Sequence, residues 1–169
     1  MRLSEFQQSW RIDFENLANF LSPALIGTSA KILHVGSTSI PGSIAKPIID
    51  LDVVVKEVTE IKDVQEKIES IGYVHRGDLG IPGREAFLQP PTLVYHHLYL
   101  VQEDSQAYLD HVDFKTALIM NPPMLEKYND LKRGLEHLLL NNRDAYTDSK
   151  SAFIKEVLFD FRRKTNKSD

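Results

Sequence analysis

The chain has 169 residues and no cysteine. That absence excludes disulfides, thiolate metal sites and cysteine nucleophiles, and it fits a reducing compartment. No apolar run is long enough to span a membrane, and the N-terminus, Met1-Arg2-Leu3-Ser4-Glu5, carries no apolar signal core. A cytoplasmic protein without a membrane partner is the expectation. Charge of one sign is also scarce: the net charge is -4, which implies no broad nucleic-acid binding. The chain lacks a Gly-x-x-x-x-Gly-Lys-Ser/Thr run, so nothing supports a Walker-type kinase, and it lacks a Gly-x-Ser-x-Gly elbow for a serine hydrolase. There is no internal repeat, low-complexity segment or obvious linker. Hydrophobic residues at 42% and charged residues at 26% leave an ordinary soluble composition, with length enough for one domain and a real core over 1–169.

Hydrophobic spacing divides the chain into elements. Phe6, Trp10, Phe14, Leu17 and Leu21 recur at helical spacing and predict an amphipathic helix over 4–21, bent or ended at Ser22-Pro23. Short strands are expected at Lys31 to Val35 and, most strongly, at Ile48 to Val55. Ile61, Val64, Ile68 and Ile71 mark a helix that closes at Gly72. Tyr73 to Arg76, Arg84 to Gln89 and Val94 to Val101 read as three further strands, with a turn-rich loop from Gly77 to Gly83. Beyond it, three helical patterns follow, broken at Asn121-Pro122-Pro123. The expected fold class is α+β: a mixed sheet of about five strands flanked by helices over 1–102, then a helical part over 103–169.

The chemistry concentrates between His34 and Val55. Asp50 and Asp52 lie two residues apart in a strand, so they share a face, roughly 6–7 Å apart at the backbone. Ile49, Leu51, Val53 and Val55 take the opposite, core face. Two acids on one buried strand repel each other and are costly to desolvate, which suits a cation between them. Upstream, Gly36-Ser37 follows an apolar strand, and a Gly-Ser turn offers amides and a hydroxyl to a phosphate.

These residues resemble a known family. A Gly-Ser turn followed by Asp-x-Asp on the next strand is similar to the signature of the nucleotidyltransferase fold, the DNA polymerase β-like superfamily. Within it the chain resembles the GrpB family throughout. The matching segments are His34-Val-Gly-Ser-Thr-Ser-Ile-Pro-Gly, Ala45-Lys46-Pro47-Ile48-Ile49-Asp50, Gly80-Ile-Pro-Gly-Arg84, His96-His97-Leu98, and Arg143-Asp144-Ala145-Tyr146-Thr147 leading to Lys150-Ser151-Ala152-Phe153. The resemblance implies transfer of a nucleoside monophosphate from a nucleoside triphosphate to a small-molecule or protein acceptor. A divalent metal, Mg²⁺ first and Mn²⁺ or Zn²⁺ as alternatives, would sit on Asp50 and Asp52.

Other residues take roles around that pair. Gly36 and Ser37 are the phosphate turn; Thr38 and Ser39 assist it or cap a short helix. Superfamily enzymes often carry a third carboxylate on a later strand, but Val94-Tyr-His-His-Leu-Tyr-Leu-Val101 has no acid. His97 shares a face with Tyr99 there, so His97 is the candidate metal ligand or general base, while His96 faces the core. In the family the position of Tyr99 is often a third histidine. Lys46, Arg84 and Lys150 are the candidate phosphate-binding cations, with Lys132 a further candidate. His34 either orients the loop or packs. Two other readings use the same residues: a nucleotide- or metal-binding module without turnover, and a metal-dependent phosphohydrolase.

Overall fold

A computed structural model describes residues 2–165, apart from the side chains at 140 and 143. Among these residues, five α-helices and five strands occur in the order α1 (Ser9–Leu21), β1 (Lys31–Val35), β2 (Asp50–Val55), α2 (Ile61–Ser70), β3 (Val74–His75), β4 (Arg84–Leu88), β5 (His97–Gln102), α3 (Gln106–Met120), α4 (Pro122–Asn141) and α5 (Arg143–Thr165). The strands form one sheet, ordered β1-β2-β5-β4-β3. β2 and β5 are parallel and the other pairs antiparallel, so the sheet is mixed. The α+β class and the helical C-terminal part follow the expectation.

Alternation along β2 sets the layers. Leu51, Val53 and Val55 are fully buried and join Leu98, Leu100 and Phe87 beneath α1 and α2, whose Trp10, Leu17, Leu21, Val64 and Ile68 complete the main core. Val54 and Val101 occupy the other face with Ala107 of α3 and the partly buried Leu33, Tyr99 and Tyr108. A separate cluster of Ile40, Ala117, Leu118, Tyr128 and Val157 holds the C-terminal helices together and ties the 37–48 segment to them. Asn121 caps α4, its Oδ1 accepting from Met124 N at 3.2 Å, with prolines at the first helical positions.

Several boundaries move for local reasons. α1 starts at Ser9 rather than at residue 4, because Ser4 exchanges backbone hydrogen bonds with Ala45 (2.8 and 2.9 Å) and is extended there. β2 begins at Asp50 and not Ile48, whose N–H is taken by Lys46 O at 2.7 Å in a tight turn. β5 begins at His97, not Val94; His96 Nδ1 bonds Val94 O at 2.8 Å, which pulls that stretch out of the ladder. β3 shrinks to Val74–His75 and β4 stops at Leu88.

Candidate active site

The parallel β2–β5 register places His97 opposite Asp50, and Tyr99 opposite Asp52. His97 Nδ1 donates to Asp50 Oδ1 at 2.6 Å. That bond leaves Nε2 as the base nitrogen, with the Tyr95 hydroxyl 3.3 Å from it. The sequence-derived alternation holds around this pair: Leu98 and Leu100 are in the core, and His96 is buried with Nε2 2.9 Å from the Tyr73 hydroxyl.

Asp52 points to the same side of the sheet but is fully buried. Its Oδ2 accepts from His111 Nδ1 at 2.7 Å, across from α3, while its Oδ1 has no hydrogen-bond partner. Burial raises the pKa of Asp52; the hydrogen bond and charge of His111 work against that rise. For His111 burial opposes charging, yet the bond to Asp52 and the charges of Asp52 and Asp50 together outweigh it, and its pKa is raised. Sequence reasoning missed His111. It is one histidine on a helix, 59 residues from its partner, and no local pattern announces it.

The Gly-Ser turn lies directly against Asp50. Gly36 has φ +68° and ψ -176°, and a Cβ built there would fall 2.2 Å from Asp50 Oδ2. The carboxylate therefore fills the space a side chain would need. Ser37–Ser39 forms a short 3₁₀ turn, fastened by Ser39 Oγ donating to Gly36 O at 2.8 Å. His34 does both of the things expected of it. Its ring stacks on Phe14 at 4.8 Å and its Nε2 meets Thr38 Oγ1 at 3.0 Å beneath the turn. Burial, and then the nearby Lys115, lower its pKa to about 4, so it is neutral there.

Ser37, Lys46, Asp50, His97, Lys132 and Lys150 line one cavity of about 200 Å³. Five of these are predicted site residues or their neighbours in a single motif, and Lys132 is the lesser candidate. Lys132 is buried, donates to Ser43 Oγ at 2.8 Å and to Ile44 O, and sits 4.2 Å over the Tyr128 ring. Burial, then Lys150 and Arg133, lower its pKa to about 7. Lys150 lies 4.1 Å over the Tyr146 ring, with Lys46 5.4 Å from the same ring. Burial, then Lys46, lower the Lys150 pKa to about 8, with Asp50 opposing. Three ammonium groups thus crowd one small space with one carboxylate, an arrangement that an anion of more than one charge would relieve.

Arg84 is placed elsewhere. It is buried, stacks 4.4 Å over the Tyr99 ring, and donates to Asp78 O at 3.1 Å. It does not line the lysine cavity; its charge acts on Asp52. Among the described residues, no three His, Asp or Glu side chains are grouped to hold a metal ion, and no helix is long and apolar enough to cross a membrane.

A mixed five-stranded sheet, a Gly-Ser turn seated on the first aspartate of an Asp-x-Asp strand, and a basic cavity beside them define an α+β domain with one candidate site at the edge of β2 and β5. The GrpB protein family matches residues 1–159, and the chain belongs to that family. It is 31% identical over 157 residues to the Glutamate-rich protein GrpB of Alkalihalophilus pseudofirmus, covering 89% of this chain and 90% of that protein. It is 30% identical over 141 residues to the UPF0157 protein YqkA of Bacillus subtilis, spanning 83% of this chain but 40% of YqkA. The crystal structure of the conserved protein GrpB from Enterococcus faecalis is similar at TM-score 0.82 and 34% identity, over 96% of this chain and 98% of that one.

Proposed function

We propose that this protein transfers a nucleoside monophosphate from a nucleoside triphosphate to an acceptor hydroxyl or amine. The observation that carries the reading is the meeting of the Asp50–His97 pair with Lys46, Lys132 and Lys150 in one cavity. The lysines and Ser37 take the triphosphate, whose charge restores the ammonium groups that burial disfavours. Asp50 fixes the His97 tautomer, leaving Nε2 to receive a proton. In the step, the acceptor O–H gives its proton to His97 Nε2 and the oxygen forms a bond to the α-phosphorus. The bond from that phosphorus to the bridging oxygen breaks, and its electron pair leaves with pyrophosphate.

The donor set fits a hard divalent ion. Asp52 Oδ1 is a buried oxygen without a partner, which a cation would satisfy. Asp50 and Asp52 are hard oxygen donors, and a pair of carboxylates suits Mg²⁺, which keeps waters and is held by one or two carboxylates plus substrate phosphates. Zn²⁺ needs three or four protein ligands and does not match this set. His97, committed to Asp50, serves as base rather than as ligand. Bound there, the ion would neutralise charge on the phosphates and the leaving pyrophosphate.

A second reading rests on β5, which offers His97 and Tyr99 opposite the two aspartates and no carboxylate. It makes the protein a nucleotide-binding module without turnover. Thermal-shift titration of metal-stripped protein with the four nucleoside triphosphates, with and without Mg²⁺ or Mn²⁺, tests both. A metal-dependent rise in Tm with a triphosphate, lost in Asp50→Asn, is expected. Pyrophosphate release on adding an acceptor separates transferase from module. Release of phosphate without acceptor would instead indicate a hydrolase.

A further inference from the structure

His97 also borders a second cavity, of about 290 Å³. It opens where β4 and β5 separate, beyond their last pair, Phe87 and Leu98. Three large apolar side chains around it are open to solvent: Leu79 (61% exposed), Leu88 (42%) and Tyr95 (48%). Together they give one wall of the cleft an apolar character that suits the body of a small ligand. Leu79 is held at φ +48°, the one positive φ at a non-glycine residue among those described. A left-handed leucine is costly and is kept only where its surroundings impose it.

The polar groups of the cleft are more specific. Gln89 lines it, and Gln89 Oε1 is buried without a hydrogen-bond donor. A buried amide oxygen without a partner marks an unmade bond, which a ligand N–H or O–H completes once the Gln89 side chain turns toward the cleft. Arg76 supplies an exposed cation to the same wall. His97 is common to both cavities, so a group in this cleft and one in the lysine cavity border the same residue.

We infer that this cleft takes the acceptor: a small molecule with an apolar body, a hydroxyl for His97, a second hydrogen-bond donor for Gln89 and an anionic group for Arg76. The inference rests on the proposed donor site, since it brings the acceptor hydroxyl to the same His97 that borders the donor cavity.

N-acetyl-tyrosine carries all four features and serves as probe, with N-acetyl-phenylalanine as the control that lacks the hydroxyl. Each is titrated into isotope-labelled full-length protein at millimolar concentration, followed by NMR. The expected result is saturable shifts at the Gln89 side-chain amide, Tyr95 and Leu79, stronger for the hydroxylated probe. Gln89→Leu should weaken N-acetyl-tyrosine about tenfold, the loss of one buried hydrogen bond. Leu79→Ser, on the exposed loop, should weaken it about threefold by removing apolar contact. Pyrophosphate, titrated against the same variants, should perturb the lysine cavity unchanged. If pyrophosphate fails to bind while the tyrosine probe shifts the cleft, the donor-site reading falls and the cleft stands as a ligand site. Absence of probe shifts at Gln89, Tyr95 and Leu79, or equal affinity in both variants and the parent, overturns the inference.

Discussion

Replacing Gly36 by alanine should disable the site through geometry alone. The new Cβ would lie 2.2 Å from Asp50 Oδ2 and 2.8 Å from Asp50 Cγ, closer than non-bonded atoms approach. The backbone at φ +68° and ψ -176° belongs to a region open in practice only to glycine, costing about 1–3 kcal/mol for a side chain. Asp50 must also swing away, and its 2.6 Å bond with His97 is lost. Both side chains of that pair are about one quarter exposed, 26% and 28%, so solvent screening reduces the loss to about 1 kcal/mol. The total is about 2–4 kcal/mol, a fall in Tm of roughly 5–15 °C for a domain of this size. Urea unfolding at pH 7 gives the free energy, and imidazole nitrogen shifts report whether His97 still donates from Nδ1. A double-mutant cycle with Asp50→Ala isolates the clash. In that background Gly36→Ala should cost the backbone strain and a residual tight contact with the Cβ at position 50, 3.0 Å away, leaving a coupling of about 1 kcal/mol for the lost carboxylate contacts. An effect of Gly36→Ala within about 0.5 kcal/mol of zero, with the two substitutions additive, would refute the packing of the turn on Asp50.

Three further outcomes follow from the pairings. The lowered pKa values of Lys132 and Lys150, about 7 and about 8, mean that folding releases protons between those values and the ordinary lysine range, so stability should rise with pH across pH 7 to 9.5, below tyrosine ionisation. Lys132→Met should flatten that rise in urea titrations; an unchanged slope contradicts the burial of a disfavoured ammonium. Asp52→Asn should lower the pKa of His111, since the bond and charge of Asp52 are what hold it up, and a proton NMR titration of the imidazole showing no change would dissolve the pair. Asn129 is buried and clamps the 42–44 loop, accepting from Ile44 N at 3.0 Å and donating to Gly42 O at 2.9 Å. Asn129→Ala should cost about 2–4 kcal/mol by leaving both backbone groups unpaired, measured by denaturant unfolding.

Much of the site was legible in the sequence because it is local. Asp50 and Asp52 share a face through strand alternation, and Gly36 and Ser37 stand one turn away from the strand that leads to them. The pairing of Asp50 with His97 was within reach only as a shared role, because parallel register is a property of two strands 47 residues apart. His111 was out of reach: its helix is oriented by packing on α5 and α4 as well as on β1 and β5, which no window of the chain encodes. The same holds for Arg84, whose motif position suggested a phosphate ligand and whose guanidinium is stacked on Tyr99. Cation–π stacking of this kind depends on cross-strand neighbours, not on spacing.

The sequence alone determined the elements, the core face of β2, and the pair of acids on the opposite face, since periodicity and covalent geometry act over a few residues. Tertiary structure decided what those acids touch. It buried Asp52 against α3 while leaving Asp50 at a cavity, and it drew Lys46, Lys132 and Lys150 from three separate segments into one space. The physical reason is that charge and burial depend on distances through space, and only the packed chain sets those distances.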